Sequence, residues 1–535
     1  MGLVSLFLVY YSLILVVSLG FLVHGDIPTT QGGPFVPVTV PLDKSFRGKA
    51  IDLPHTDTRL QGATYRYQPE QISVSLSYNY DSVYITWITG DFQIGDIETP
   101  WDYNFVGSLV QYGTYGMPLL NDASGSSLLY SREYPFEGLQ NYTSGLIHRV
   151  RLTDLKADTL YQYQCGDPSI GPMSDVHYFK TMPESNRWSY PNRIAIVGDL
   201  GLTYNTTSTV DHLMSNHPDL VVLVGDISYA DMYLTNGTPS DCYDCSFRDT
   251  PIHETYQPRW DYWGRFMQPL VSNVPLMVIE GDHDIELQPD DQAYTAYCAR
   301  FSVPSQLDEC KSLSYLYYSF NAGGIHFVML DAYFPYDNIS KQYLWLDSDL
   351  SSVDRSATPW LVAVWHPPWY STYKAHYREA ECMRVELEDI LYKYGVDIIF
   401  NGHVHAYERS NRVYKYSLNE CGPIYISVGD GGNQENMAIE HADEPGNCPV
   451  PQEYVDGSCA FNFTSGPAAG KFCWDQQPDY SAYRESSFGH GILEVKNETH
   501  ALWTWHRNKD SYLNAGDIIY IVRNLECAQV QVEHR

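Results

Sequence analysis

The 535-residue sequence predicts an all-β sandwich followed by an α/β layered domain, and three observations carry that prediction. Apolar residues alternate at Ile72, Val74 and Leu76 and again at Val83, Ile85 and Trp87, the period of half-buried strands. Beyond a polar, Pro-containing linker at Pro183 to Asn192 the pattern changes to short, wholly apolar runs, many of them ending at Gly-Asp, Gly-His or His-Pro. The length exceeds what one hydrophobic core supports, and a 44% hydrophobic content is enough for two.

In chain order, residues 1–25 read as a secretory signal peptide, apolar from Leu3 to Val23 before the polar Asp26. No Lys or Arg precedes the apolar run, which leaves a signal-anchor helix as the alternative. Residues 26–69 form a Pro-rich lead-in. Residues 70–183 carry the sandwich, with further strands at Leu109 to Tyr112, His148 to Leu152, Leu160 to Cys165 and Val176 to Lys180. Leu155, Thr159, Tyr161 and Tyr163 resemble the tyrosine corner of fibronectin type III-like modules, and no chemistry is assigned to this region. Residues 190–535 form the α/β domain, ending in a Cys-rich part. Its buried strands are expected at Ile194 to Val197, Leu220 to Val224, Leu276 to Ile279, Phe327 to Leu330, Leu361 to Val364, Val396 to Phe400 and Ile424 to Val428. They alternate with helical stretches such as Glu379 to Tyr394, and ligands of such domains bind beyond the carboxyl ends of the strands.

Composition excludes some classes of function. With 65 acidic and 33 basic residues the formal charge is -32, which repels nucleic acid and anionic membranes. Neither nucleic-acid binding nor stable membrane association is expected, and a phosphate site must be won locally, through cations and short hydrogen bonds. Sequons at Asn141, Asn205, Asn236, Asn338, Asn462 and Asn497 fit a glycosylated, secreted protein of the extracellular space, cell wall or vacuole. The 11 cysteines are an odd number, leaving a free thiol or a link to another chain, and Cys310 and Cys527 are candidates for such a link in a homodimer. Cys242 and Cys245 fit structural disulfides better than a redox pair, and Cys421, Cys448, Cys459 and Cys473 are expected to staple a Gly/Pro-rich stretch.

The strand ends supply Asp199 in GDLG, Asp226 and Tyr229 in GDISY, Asp282 and His283 in GDHD, His366 in WHPPW, and His403 and His405 in NGHVH. Singly each is weak, since Gly-Asp is common turn chemistry and a lone His is more often a satisfied structural residue. Jointly, carboxylates, a phenol and imidazoles at successive strand ends converge on one point, and two hard cations are the natural reason to collect them. Hydrolysis of a phosphate monoester suits that arrangement, because two metals about 3.5–4 Å apart clamp the attacking and leaving oxygens.

The string GDLG, GDISYAD, GDHD, WHPPWY and NGHVHAYER, extended through GDGGN at Gly429 to Asn433, resembles the plant purple acid phosphatases of the large, two-domain type. The resemblance implies an α/β metallophosphatase sandwich, mixed β-sheets flanked by helices, preceded by a fibronectin type III-like β-sandwich. It further implies Fe(III) beside a divalent zinc, manganese or iron ion. Carried over, Asp199, Tyr229 and His405 would bind the ferric ion, Asp226 would bridge, and Asp282, His366 and His403 would hold the divalent metal. His283 and His376 would be the catalytic, substrate-side histidines, His376 protonating the leaving group, with Asp282, Glu379 and His403 completing the substrate contacts. An imidazole is mostly protonated near about pH 5, which suits an acid optimum. The alternative for His376 is a cap on the helix of Glu379 to Tyr394.

Two departures stand out. Ala375 replaces a histidine of the family, as in its phytase-like branch, whose segment AHYREAECMR resembles. Asp282 and Asp284 stand in Gly-Asp-His-Asp where the family has Gly-Asn-His-Glu. A neutral amide ligand thereby becomes a carboxylate, which tightens metal binding, blunts the metals as Lewis acids and cannot donate to phosphate. The expected substrates are small phosphate monoesters, with phytate an option if Lys374, Arg378 and Arg384 form a basic cluster rather than solvated helix charges. The alternatives are a phosphodiesterase or nucleotide pyrophosphatase, and a metal-binding glycoprotein that Asp282 has silenced.

Overall fold

The computed structural model of the protein describes residues 33–43, 51–95, 106–132, 141–232, 256–286, 293–304, 315–435, 437–450 and 472–527. The expected signal peptide lies outside them, as do Cys242, Cys245, Cys310, Cys459 and the sequons at Asn236 and Asn462.

The alternating residues near the N-terminus build two four-stranded sheets. One orders Glu70–Leu76, Val83–Thr89, Leu146–Leu152 and Ser126–Leu128, and the other His177–Lys180, Leu160–Gly166, Leu109–Thr114 and Asn121–Ser124. Ile85, Trp87, Val150, Val110, Tyr163 and Phe179 are buried together, so the inward-facing alternate positions of both sheets form the core. The Tyr161 hydroxyl accepts from the Lys156 backbone N–H at 2.9 Å, the back-bond of a tyrosine corner.

In the α/β part, among the described residues, the apolar runs form two mixed sheets. A six-stranded sheet orders Leu276–Ile279, Leu220–Val224, Ile194–Val197, Gly489–Val495, His500–Arg507 and Asp517–Val522, its first three strands parallel. An eight-stranded sheet orders Val38–Thr39, Ser481–Glu485, Tyr407–Ser410, Ile424–Val428, Ile398–Asn401, Trp360–Val364, Ile325–Met329 and Tyr318–Ala322. The four strands between Ser481 and Val522 complete both sheets, beyond the seven expected from the apolar runs. The expected helix begins at Glu381 rather than Glu379, with Ala380 as its N-cap. Left-handed backbone at His376 and Arg378 keeps that segment out of the helix, and His376 does not cap it.

Other segments tie the molecule together. Leu53 and Leu60 from the Pro-rich segment are buried in the common core, and Asp52 pairs with Arg259 at 2.9 Å. Between sandwich and α/β domain the Arg300 guanidinium donates to Tyr130, Gln71 and Tyr142 and pairs with Asp261 at 3.1 Å. Disulfides join Cys421 to Cys527 and Cys448 to Cys473, and Cys298 and Cys382 are also disulfide-bonded. Cys527 is therefore not available for a link between chains. The free thiol among the described residues is Cys165, buried in the sandwich, where desolvation pushes its pKa up to about 12.

Candidate metal centre

The parallel strands of the two sheets deliver their carboxyl ends to one place. Asp199 follows Ile194–Val197, Asp226 follows Leu220–Val224, Asp282 follows Leu276–Ile279, His366 follows Trp360–Val364, and His403 follows Ile398–Asn401. The turns there are strained: Asp199, Asp226, Tyr229, His376 and His403 all have left-handed backbone, with φ between 52° and 64°. Such conformations cost about 1–3 kcal/mol each and gather where function needs them. The glycines of the motifs are required by close approach, since a Cβ at Gly281 would fall on the Asp226 carboxylate and one at Gly402 on Asp199 and His366.

Among the described residues three groups of donors stand close enough to hold a metal ion; His376, Glu379 and His403 form one, and the other two share one carboxylate. Of these two, Asp199, Asp226 and His405 form the first, and Asp226, Asp282, His366 and His403 the second, each with ligand atoms within 4.8 Å of one another. The Tyr229 hydroxyl joins the first cluster, 3.4 Å from Asp199 Oδ1, 3.4 Å from Asp226 Oδ2 and 3.3 Å from His405 Nε2. In the second, Asp226 Oδ2 lies 2.9 Å from His366 Nε2, and Asp282 Oδ1 lies 3.0 Å from His403 Nδ1 and 3.3 Å from His366 Nε2.

These donors fit metal ions. His366 gives its Nδ1 to the Val224 carbonyl at 2.6 Å, which turns the lone pair of Nε2 toward the centre. That buried Nε2 makes no hydrogen bond of acceptable geometry, as expected of a ligand atom. Burial opposes charge on His366, yet Asp226 and Asp199 raise it well above the usual imidazole range. Burial and Asp282 act to protonate Asp226, but His366 and His283 outweigh them and hold it low. Burial pushes the Tyr229 phenol well above its normal range, and Asp199 and Asp226 push it further, so a phenolate there requires a cation. Cations bound here would balance the buried carboxylates in place of protons.

Around this centre stand the other expected residues. His283 lies beside Tyr229, with ring centroids 4.3 Å apart. His376 lies tilted against His403, with ring centroids 3.8 Å apart, and places Nδ1 2.7 Å from Glu379 Oε2, which is also 3.3 Å from His403 Nε2. All the residues singled out for the site therefore meet. The basic cluster does not: Arg378 is buried against Tyr377, Tyr416 and Phe472, Arg384 is buried with Glu381 and Glu388, and exposed Lys374 pairs with Glu440.

Four residues acquire roles here that their sequence motifs alone do not assign. Asp231 lies inside GDISYAD and places Oδ2 2.8 Å from His283 Nδ1. Burial lifts the Asp231 carboxyl to about 7 against the pull of His283. Glu435 follows GDGGN and faces both His283 and His405. Tyr333 reaches Asp282 Oδ1 at 3.3 Å from a loop without any motif. Asp284, in the same Gly-Asp-His-Asp motif as Asp282, accepts from the backbone N–H groups of Gly281 and Ile227 and so joins the two loops that carry Asp282 and Asp226.

Two facing mixed sheets with two donor clusters sharing a carboxylate define a binuclear metallophosphatase, and residues 192–407 match the model of the calcineurin-like phosphoesterases. Residues 69–181 match the N-terminal domain of purple acid phosphatases and 462–515 the C-terminal part of iron/zinc purple acid phosphatase-like proteins. The chain is 64% identical to purple acid phosphatase 15 of Arabidopsis thaliana over 93% of both chains. It is 34% identical to a phosphoenolpyruvate phosphatase of Allium cepa, over 86% of this chain and 83% of that one. The solved purple acid phosphatase PPD1 of yellow lupin shares the fold, with TM-score 0.64 and 20% identity over 86% of this chain and 76% of that one. The chain belongs to the purple acid phosphatases, enzymes that hydrolyse phosphate monoesters at a binuclear centre of Fe(III) and a divalent metal.

Proposed function

We propose that Asp199, Tyr229 and His405 hold the ferric ion, that Asp226 bridges, and that Asp282, His366 and His403 hold the divalent ion. The observation that carries this reading is the membership of Asp226 in both donor clusters. When bound, the two cations polarise the phosphoryl group and lower the pKa of water. His283, oriented by Asp231 at Nδ1, turns its Nε2 to the ester oxygens. His376, steadied by Glu379 at 2.7 Å, donates its proton to the leaving alkoxide. Complete burial of the Asp199 and Asp226 backbone turns keeps bulk water from the inner ligands.

The protein acts in this reading as a secreted, glycosylated acid phosphatase of the cell wall, extracellular space or vacuole. The apolar leader and the sequons support it, including Asn338 on an exposed turn. A homodimer would associate without a bond at Cys527. Small monoesters suit the site better than phytate, because Asp282, Glu379 and Glu435 reach its surface while Arg378 and Arg384 are turned elsewhere. The test is metal analysis, the visible spectrum and aryl phosphate hydrolysis between about pH 4 and 8. One iron with one divalent metal, a tyrosinate band that Tyr229→Phe removes, and an acid optimum are expected. A band that survives Tyr229→Phe would sink the ligand assignment. Phytate hydrolysed faster than the aryl phosphate would overturn the preference for small esters.

A further inference from the structure

Both histidines that face the substrate in the reading above are steadied by a carboxylate at Nδ1, Asp231 for His283 and Glu379 for His376. His283 has further carboxylates at its Nε2, the nitrogen that would meet a substrate: Glu435 Oε2 lies 3.4 Å away and Asp282 Oδ2 3.9 Å. The Glu435 oxygen is also 3.5 Å from His405 Nε2, so Glu435 projects over the centre on the side of the first donor cluster.

The position of Glu435 is built into the fold. Its N–H donates to Asn433 Oδ1 at 3.0 Å, and the Asn433 N–H donates to the Asp199 carbonyl at 3.1 Å. Gln434 Oε1 accepts from Arg259 at 3.3 Å, and Arg259 also donates to the Ser228 carbonyl at 2.6 Å, next to Tyr229. The loop that carries Glu435 is thereby fastened to both ferric-side turns. The Asp199 and Asp226 side chains are at most 1% exposed, whereas that of Glu435 is 27% exposed and can be reached by a substrate.

From this geometry we propose that Glu435 determines specificity as an internal anion: it occupies the substrate-facing nitrogen of His283 in the free enzyme, and the phosphate of an incoming ester must displace it. A monoester with one phosphate exchanges one carboxylate contact for one phosphate contact at His283. An ester with further phosphates brings its extra charges against Glu435, Asp282 and Glu379, so discrimination against polyanions follows.

The inference rests on His283 being substrate-side, and the test separates the two ideas. In the metal-loaded Glu435→Gln variant at fixed ionic strength, KM for an aryl phosphate and the inhibition constant of inorganic phosphate should both fall about tenfold, with kcat changing less. Iron and divalent content should match the parent. In a His283→Ala background the same substitution should leave KM unmoved, because the contact it relieves is gone. Unchanged KM and phosphate inhibition in Glu435→Gln with full metal content would overturn the proposal and leave the phosphatase reading standing. Loss of iron and of the visible band would assign Glu435 to the metal and overturn it as well. A parent protein without metal or hydrolysis would instead fail the reading on which it rests.

Discussion

Asp282 is the residue at which this chain departs from the amide expected of its family, and its surroundings explain how a carboxylate is accommodated. Oδ1 faces His403 and His366 at 3.0 and 3.3 Å, and the Tyr333 hydroxyl donates to it at 3.3 Å. Burial opposes its charge, but His403 and His283 outweigh that and hold Asp282 well below the usual carboxylate range, so it stays ionised at acid pH. It then adds a negative charge where a phosphate must bind, and it lacks the N–H that an amide would offer. Asp282→Asn should raise kcat on aryl phosphate by about tenfold, a gain of roughly 1.4 kcal/mol in transition-state binding, and loosen the divalent metal toward chelators. No gain in turnover with metal retained would refute this account of the substitution.

At the level of single elements, the strand Leu146–Leu152 carries a pH-dependent weakness into the sandwich. His148 is fully buried, stacked on Trp87 with centroids 4.8 Å apart and set between Thr89 Oγ1 at 2.7 Å and Ser108 Oγ at 2.8 Å. Burial lowers its pKa from 6.5 to about 4, against a small upward pull from Asp167. Between those values the unfolded chain binds a proton that the folded sandwich excludes. Stability from this group is therefore complete above pH 6.5 and is lost as pH falls toward about 4, by about 3 kcal/mol in all. His148→Gln, which keeps a donor and an acceptor, should flatten the fall in Tm across that interval. A parent Tm that does not respond to pH there would contradict the assignment.

Across the whole molecule, sandwich and α/β domain behave as one body because they share a core and a buried polar joint. Arg300 and Asp261 come from the α/β domain, Gln71, Tyr130 and Tyr142 from the sandwich, and Tyr142 and Gln71 also reach Asp261 at 2.6 and 3.0 Å. Arg300→Ala leaves the Asp261 carboxylate buried without its cation and should cost about 3–5 kcal/mol, read as a lowered Tm in calorimetry. An unchanged Tm would mean that the joint contributes nothing beyond the apolar contacts around it.

The sequence by itself determined the strands whose apolar runs are buried on both faces or alternate cleanly, such as Leu220–Val224 and Val83–Thr89, since hydrophobic periodicity is a local property. It also pointed to the residues that the structure gathers at the candidate centre, because several of them sit beside the turn residues that mark strand ends, as in Gly281-Asp282 and Gly402-His403. What only the tertiary structure decided is which charges meet. Asp231, inside GDISYAD, and Glu435, just past GDGGN, acquire their roles from loops folded against His283. Arg378 and Arg384 read as surface charge until aromatic rings and the buried carboxylates Glu381 and Glu388 enclosed them. The strand Val38–Thr39 takes its place from pairing with Ser481–Glu485 at the far end of the chain. Electrostatic pairing and edge-strand order depend on distances between residues remote in sequence, and those distances exist only once the two sheets have closed on each other.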